Sequence, residues 1–163
     1  GQAVARRALG FGMNIIYLNR QPANPTTVRE LDAEYVGRRA LFERSDVVSL
    51  HCPLNEESYH LVDAEAFDWM KPSGYLINTA RGPVVDEEAL VHALDNEKIA
   101  GAALDVFEDE PDVHPGLIAS DRAVLAPHLG SATRETRVRM AEMCAASILA
   151  ALDGHDEIPH CLV

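Results

Sequence analysis

Arg81, Glu110 and His128 are a guanidinium, a carboxylate and an imidazole, each placed beyond a short apolar run. Arg81 lies in Asn78-Thr79-Ala80-Arg81-Gly82-Pro83, between an apolar run over residues 75–77 and a helix start that Asp86 can cap. A guanidinium held there can grip a carboxylate or phosphate through two parallel hydrogen bonds, or it can make an ordinary surface ion pair. Asn19, Arg20, His51 and Asp105 also follow apolar runs. In an open α/β sheet such positions converge at the carboxyl ends of the strands, where ligands bind. A histidine after a proline, taken alone, reads as structural, and an acidic loop such as Glu108-Asp109-Glu110-Pro111 reads as solvated. The set as a whole suits one reaction, the reduction of a keto acid. That chemistry needs a fixed cation for the substrate carboxylate, a proton donor at the carbonyl oxygen and a source of hydride. Arg81 can be the cation. His128 can give the proton, because imidazole titrates near neutrality. Glu110 beside it would favour the imidazolium. No side chain carries hydride, so a nicotinamide cofactor must supply it.

The elements that must position these groups alternate along the chain. Residues 1–9 read as a helix already under way, with Val4, Ala8 and Phe11 on one face. Gly12 turns the chain into a buried strand ending near Asn19 and Arg20. Thr26 or Thr27 caps a short polar helix, residues 35–36 form a brief strand, and residues 38–44 a helix. Residues 46–52 read as a buried strand stopped by Pro53. Asp63 caps a helix through Met70, and residues 75–77 form another buried strand. A helix from Glu87 to about Glu97 leads to a strand over 99–106. The last strand covers 123–126, before Pro127 and His128. Residues 133–152 place Ala141, Ala145, Ile148, Leu149 and Leu152 at helical spacing, and the tail over 153–163 is irregular. Strand and helix in alternation predict an α/β fold with a doubly wound parallel sheet. A strand that follows the first helix, with that helix's own strand lacking, predicts a Rossmann-like sheet without its first strand.

Composition sets further bounds. The chain has 163 residues, 47% of them apolar, enough for the core of one domain. A formal net charge of −12 argues against non-specific binding to nucleic acid or to an anionic membrane. No apolar run is long enough to span a bilayer. Cys52, Cys144 and Cys161 have neither the pairing of a disulfide framework nor the spacing of a metal site, so no metal is expected. With no export leader at the start, they suit a cytoplasmic protein.

Three motifs resemble those of a known family. Residues 78–90, NTARGPVVDEEAL, residues 103–111, ALDVFEDEP, and residues 127–133, PHLGSAT, resemble the signatures of the D-isomer-specific 2-hydroxyacid dehydrogenases. The likeness is closest to glyoxylate/hydroxypyruvate and 2-ketogluconate reductases and runs along nearly the whole chain. It implies that Arg81 binds the substrate carboxylate, that His128 is the acid/base and that Glu110 pairs with it. It also implies that Thr79, Ala80 and Asp105 hold the nicotinamide, with Gly130 close by, and that His51, Cys52 and Pro53 line the adenosine side. Gly1 is similar to the last glycine of the family's G-x-G-x-x-G. On this resemblance, residues 1–163 are an incomplete dinucleotide-binding domain, and 133–152 is the long helix that returns to an absent substrate domain. Such a piece alone is expected to have no useful turnover. The family also commonly forms homodimers through this domain.

The coenzyme expectation comes from the end of the second Rossmann strand. An acidic residue there favours NAD by bonding the ribose 2′-hydroxyl. Here the place belongs to Asn19 and Arg20, and a guanidinium can pair with a 2′-phosphate, so NADP is expected over NAD. The competing reading is a non-catalytic dinucleotide sensor or corepressor-like module, which steady-state oxidation of NADPH with keto acids would separate from a reductase.

Overall fold

Every strand pairing among the described residues of the computed structural model is parallel. The structure describes residues 1–155, 158 and 159. Cys161 and most of the end of the tail expected to be irregular lie outside the described residues. The chain forms two units, residues 1–127 and residues 128–163.

In the first unit each strand is preceded by a helix. α1 (Gln2–Gly10) leads to β1 (Ile15–Tyr17), α2 (Pro25–Glu30) to β2 (Ala33–Tyr35), and α3 (Arg38–Arg44) to β3 (Val47–Leu50). α4 (Ala64–Trp69) leads to β4 (Tyr75–Asn78). A short 3-10 turn (Gly82–Val84) and α5 (Glu87–Asp95) lead to β5 (Gly101–Leu104), and α6 (Pro115–Ala119) leads to β6 (Ala123–Leu125). The strands fall into two groups, β1-β2 and β3-β4-β5-β6, with no ladder between β1 and β3. The fold is therefore α/β and Rossmann-like, and the break between the groups corresponds to the expected lack of one strand.

Register explains which residues build the core. Val48, Leu76 and Ala102 stand abreast, and with Leu50 and Leu104 they point to one face of the sheet. There they pack with Val62, Phe67, Leu90, Leu94 and Ile99, all of them buried. Each large apolar side chain removed from water in this way stabilises the fold by about 1.5–3 kcal/mol. The opposite face is more open. Tyr75 belongs to that face and is 51% exposed, which corrects the expectation that residues 75–77 are all buried. Its short apolar run does not show which parity faces the core.

The caps follow local chemistry. Asp63 accepts from Ala66 N at 2.9 Å and Asp86 from Ala89 N at 2.9 Å, as their positions predict. α2 starts earlier than expected. Asn24, not Thr26 or Thr27, caps it by accepting from Thr26 N at 2.8 Å, because Pro25 suits a first helical turn that has no use for its missing N–H. Only residues 101–104 of the expected 99–106 strand join the ladder, although Ile99 remains buried.

The second unit is built on α7 (Arg134–Leu152), capped by Thr133, which accepts from Thr136 N at 3.2 Å. Ser147 Oγ donates to the Met143 and Pro159 carbonyls, tying the tail to the helix. None of the described helices is long and apolar enough to cross a membrane.

Candidate functional site

Asn78, the last residue of β4, builds the loop that presents Arg81. It is 1% exposed, and its amide serves two ends of one turn. Oδ1 accepts from Ala80 N at 3.0 Å, and Nδ2 donates to the Arg81 carbonyl at 3.0 Å. The chain is thereby folded back so that Thr79 and Arg81 are exposed while Ala80 is buried. Gly82 then lies against the backbone of Phe107, where an added Cβ would come within 1.8 Å of the carbonyl oxygen. Only glycine permits that approach. Beyond it, Val85 bridges to Val62 and Asp86 starts α5, so the loop is fixed on both sides. Arg81 Nη1 donates to the Ala80 carbonyl at 2.6 Å.

The carboxyl ends of β3 and β4 open on a pocket of about 580 Å³. Gly1, His51, Cys52, Pro53, Leu54, Thr79, Ala80 and Arg81 line it. Seven of these are sequence candidates, and Leu54 is the addition, continuing the His51-Cys52-Pro53 turn. Gly1 is the N-cap residue of α1 and lies close to His51, whose Cβ would sit 3.3 Å from a Cβ built on residue 1. The first turn of α1 has no acidic side chain, so the partial positive charge of its unpaired N–H groups is not neutralised there. Partial burial holds the His51 imidazole below its usual pKa, and its Nε2 lies 2.9 Å from Ser49 Oγ. Burial pushes the Cys52 thiol up, which keeps it protonated at neutral pH. The lining therefore contains one charged side chain, Arg81, and no carboxylate, in a chain with 26 acidic residues.

Asn19, Arg20, Asp105, Glu110, His128 and Gly130 are not among the residues that line this pocket. Asn19 and Arg20 follow β1 and are exposed. Tyr35 Oη donates to the Asn19 carbonyl at 3.0 Å, and Arg20 Nη1 lies 3.8 Å from Glu57 Oε2. Asp105 follows β5, and its N–H donates to the Asn78 carbonyl at 2.9 Å, which sets it beside the Arg81 turn. Glu110 is exposed, and its Oε1 accepts from Phe107 N at 3.0 Å. His128 and Gly130 open the second unit, and His128 has a left-handed backbone with φ 56°.

Sequence reasoning missed a network beside the site. Glu108 is half-buried, not simply solvated. Its Oε1 lies 2.6 Å from His60 Nε2, and its backbone N–H donates to Glu87 Oε1 at 2.7 Å. Burial pushes the Glu87 carboxyl pKa up, against the hydrogen bond from Glu108 N, and the Glu108 charge adds to the rise. The only signal in the sequence is a buried-side glutamate in the first turn of α5, which reads equally well as a helix-dipole residue.

The comparisons with known proteins agree with this architecture. The family described as "D-isomer specific 2-hydroxyacid dehydrogenase, NAD binding domain" matches residues 1–130. A glyoxylate reductase of Thermococcus litoralis is 50% identical over 163 residues, all of this chain and 48% of that protein. The crystal structure of a glyoxylate reductase from Paecilomyes thermophila superposes with a TM-score of 0.87 at 42% identity, covering 94% of this chain and 46% of the other. An NADPH-dependent glyoxylate/hydroxypyruvate reductase from Sinorhizobium meliloti, solved with NADP and malonate, gives a TM-score of 0.90 at 35% identity over 98% of this chain and 49% of the other. The chain spans about half the length of the curated relatives it matches.

Proposed function

This chain belongs to the D-isomer-specific 2-hydroxyacid dehydrogenases, as their NAD-binding domain, and from that premise we propose that it serves the NAD(P)H-dependent reduction of a small 2-keto acid to the D-2-hydroxy acid. Glyoxylate, hydroxypyruvate and 2-ketogluconate are the substrate type. The observation that carries the reading is the carboxylate-free pocket at the ends of β3 and β4, with Arg81 at its side and the start of α1 at Gly1. Such a lining suits an anionic dinucleotide, because helix N–H groups and a guanidinium both favour phosphate or carboxylate oxygens.

In this reading Gly1 lets the pyrophosphate approach the start of α1, and His51, Cys52 and Pro53 face the adenosine side. Thr79, Ala80 and Asp105 hold the nicotinamide, with Gly130 near it. When bound, the reduced nicotinamide supplies the hydride. Arg81 grips the substrate carboxylate with the N–H groups that its bond to Ala80 leaves over. His128 gives a proton to the carbonyl oxygen as it becomes the hydroxyl, and Glu110 steadies the imidazolium beforehand. Asn19 and Arg20 give NADP the advantage over NAD. A homodimer through this domain, as the resemblance implies, and a reducing cytoplasm that suits the free thiols Cys52 and Cys144 complete the proposal.

The test is titration of the chain with NADPH and with NADH, followed by nicotinamide fluorescence. Both are expected to bind, NADPH more tightly. Arg20→Ala should weaken NADPH about tenfold or more, the loss of one charge-assisted hydrogen bond, and leave NADH within about twofold. Equal losses for the two would defeat the NADP assignment, and binding of neither would defeat the pocket assignment.

A further inference from the structure

The ion pair Arg20–Glu57 joins the ends of two strands that share no ladder. Arg20 follows β1, and Glu57 lies in the turn after β3. The two backbones are firmly held. Tyr35 Oη bonds the Asn19 carbonyl, Tyr17 Oη accepts from Ala23 N, and the two tyrosine rings lie 5.4 Å apart. On the other side, Asn55 Oδ1 accepts from the N–H groups of Glu57 and Ser58, each at 3.0 Å. Ser58, which is buried, donates to the Pro53 carbonyl at 2.7 Å. Pro53 and Leu54 of that same turn line the pocket. The side chains of the pair are 73% and 70% exposed, so they alone are free to separate.

We propose that Glu57 is a coenzyme-specificity residue, which pairs with Arg20 in the free chain and so limits the preference for NADPH over NADH. The proposal rests on the reading above, in which Arg20 meets the 2′-phosphate. An exposed pair at 3.8 Å is a weak bond, so a 2′-phosphate displaces Glu57. Displacement has a consequence that NADH escapes. One guanidinium then faces two anionic groups, the phosphate and a carboxylate whose backbone cannot retreat. A ribose 2′-hydroxyl carries no charge and asks nothing of Arg20. The carboxylate therefore penalises NADPH selectively.

Glu57→Gln removes the charge and keeps the shape. With the same nicotinamide fluorescence titration, the Kd for NADPH should fall on the order of three- to tenfold at low salt, while that for NADH stays within about twofold. The gain should fade at 0.5 M salt. In an Arg20→Ala background the same substitution should change NADPH binding by less than about twofold, because Glu57 acts by competing for Arg20. An equal gain for both dinucleotides would make the effect general electrostatics and overturn the proposal. So would an undiminished gain without Arg20. An unaltered chain that binds neither dinucleotide would instead bring down the pocket assignment, and an Arg20→Ala chain that loses both equally would bring down the 2′-phosphate assignment. The four results are distinct.

Discussion

Glu87 shows how one buried carboxyl sets a pH dependence. It is 5% exposed, and burial raises its pKa in the fold above the value in the unfolded chain. Below the unfolded carboxylate range both states hold the proton, and the residue contributes its full stability. As pH rises through the window up to the raised folded pKa, the unfolded chain releases its proton first and that contribution is lost. Glu87→Gln keeps an acceptor for Glu108 N, bonded at 2.7 Å, and removes the titration. The variant is expected to match the parent near pH 4 and to be the more stable by pH 8, read as urea midpoints across that range. A gap independent of pH would mean that the carboxylate is not strained by burial. The reason this residue escaped sequence reasoning is tertiary. Glu87 meets the backbone of Glu108 across 21 positions, and neither spacing nor residue type announces that contact. The loop that carries Arg81 was legible because an apolar run followed by a capped helix is a local pattern. Asn78, which shapes that loop, was not, since an asparagine ending a strand has many uses.

At the scale of elements, the turn after β4 depends on the fit between Gly82 and the backbone of Phe107. Gly82→Ala would drive a Cβ to within 1.8 Å of the Phe107 carbonyl oxygen, and neither partner is a flexible side chain. The expected loss is about 3 kcal/mol, the upper end of overpacking costs, seen as a lower urea midpoint together with weaker dinucleotide binding. Gly10→Ala is the control, because nothing lies within 4 Å of the added Cβ. It sits in α1, where alanine is the better helix former by up to about 1 kcal/mol, so it should be neutral or stabilising. Equal losses from both would mean that glycine is needed at residue 82 for no reason of packing. Helices and their caps could be read from the chain wherever one side chain serves a nearby N–H, as at Asp63 and Asp86. The cap of α2 is less plain, because Thr26 and Thr27 are as good cap residues as Asn24, and only the place of Pro25 in the first turn decides for the asparagine. The strands could be located but not faced. Tyr75 is solvent-exposed because register, set by β3 and β5, turns it away from Phe67 and Leu90.

For the whole molecule, alternating elements announce a parallel α/β fold, yet only the pairings reveal that β1-β2 and β3-β6 form separate groups. That separation has a thermodynamic consequence. Gly1 and His51 of the pocket lining, and the ion pair Arg20–Glu57, come from segments on both sides of the break. A dinucleotide lying there would tie the groups together and bind only the folded chain. NADPH at about a hundred times its Kd should then add about 2.7 kcal/mol of stability. For a chain of this size that corresponds to a rise of roughly 5–10 °C in Tm. Cys52 places the binding event. It is half-buried in the same lining, with a thiol that burial keeps protonated, so it should alkylate slowly in the free chain and several-fold more slowly with NADPH. Peptide mass spectrometry after timed alkylation measures that ratio. A raised Tm with no shielding of Cys52 would put the dinucleotide somewhere other than this pocket. Shielding with no rise in Tm would mean that the dinucleotide is held by the unfolded chain as well, because any ligand bound only by the folded state must be released before unfolding.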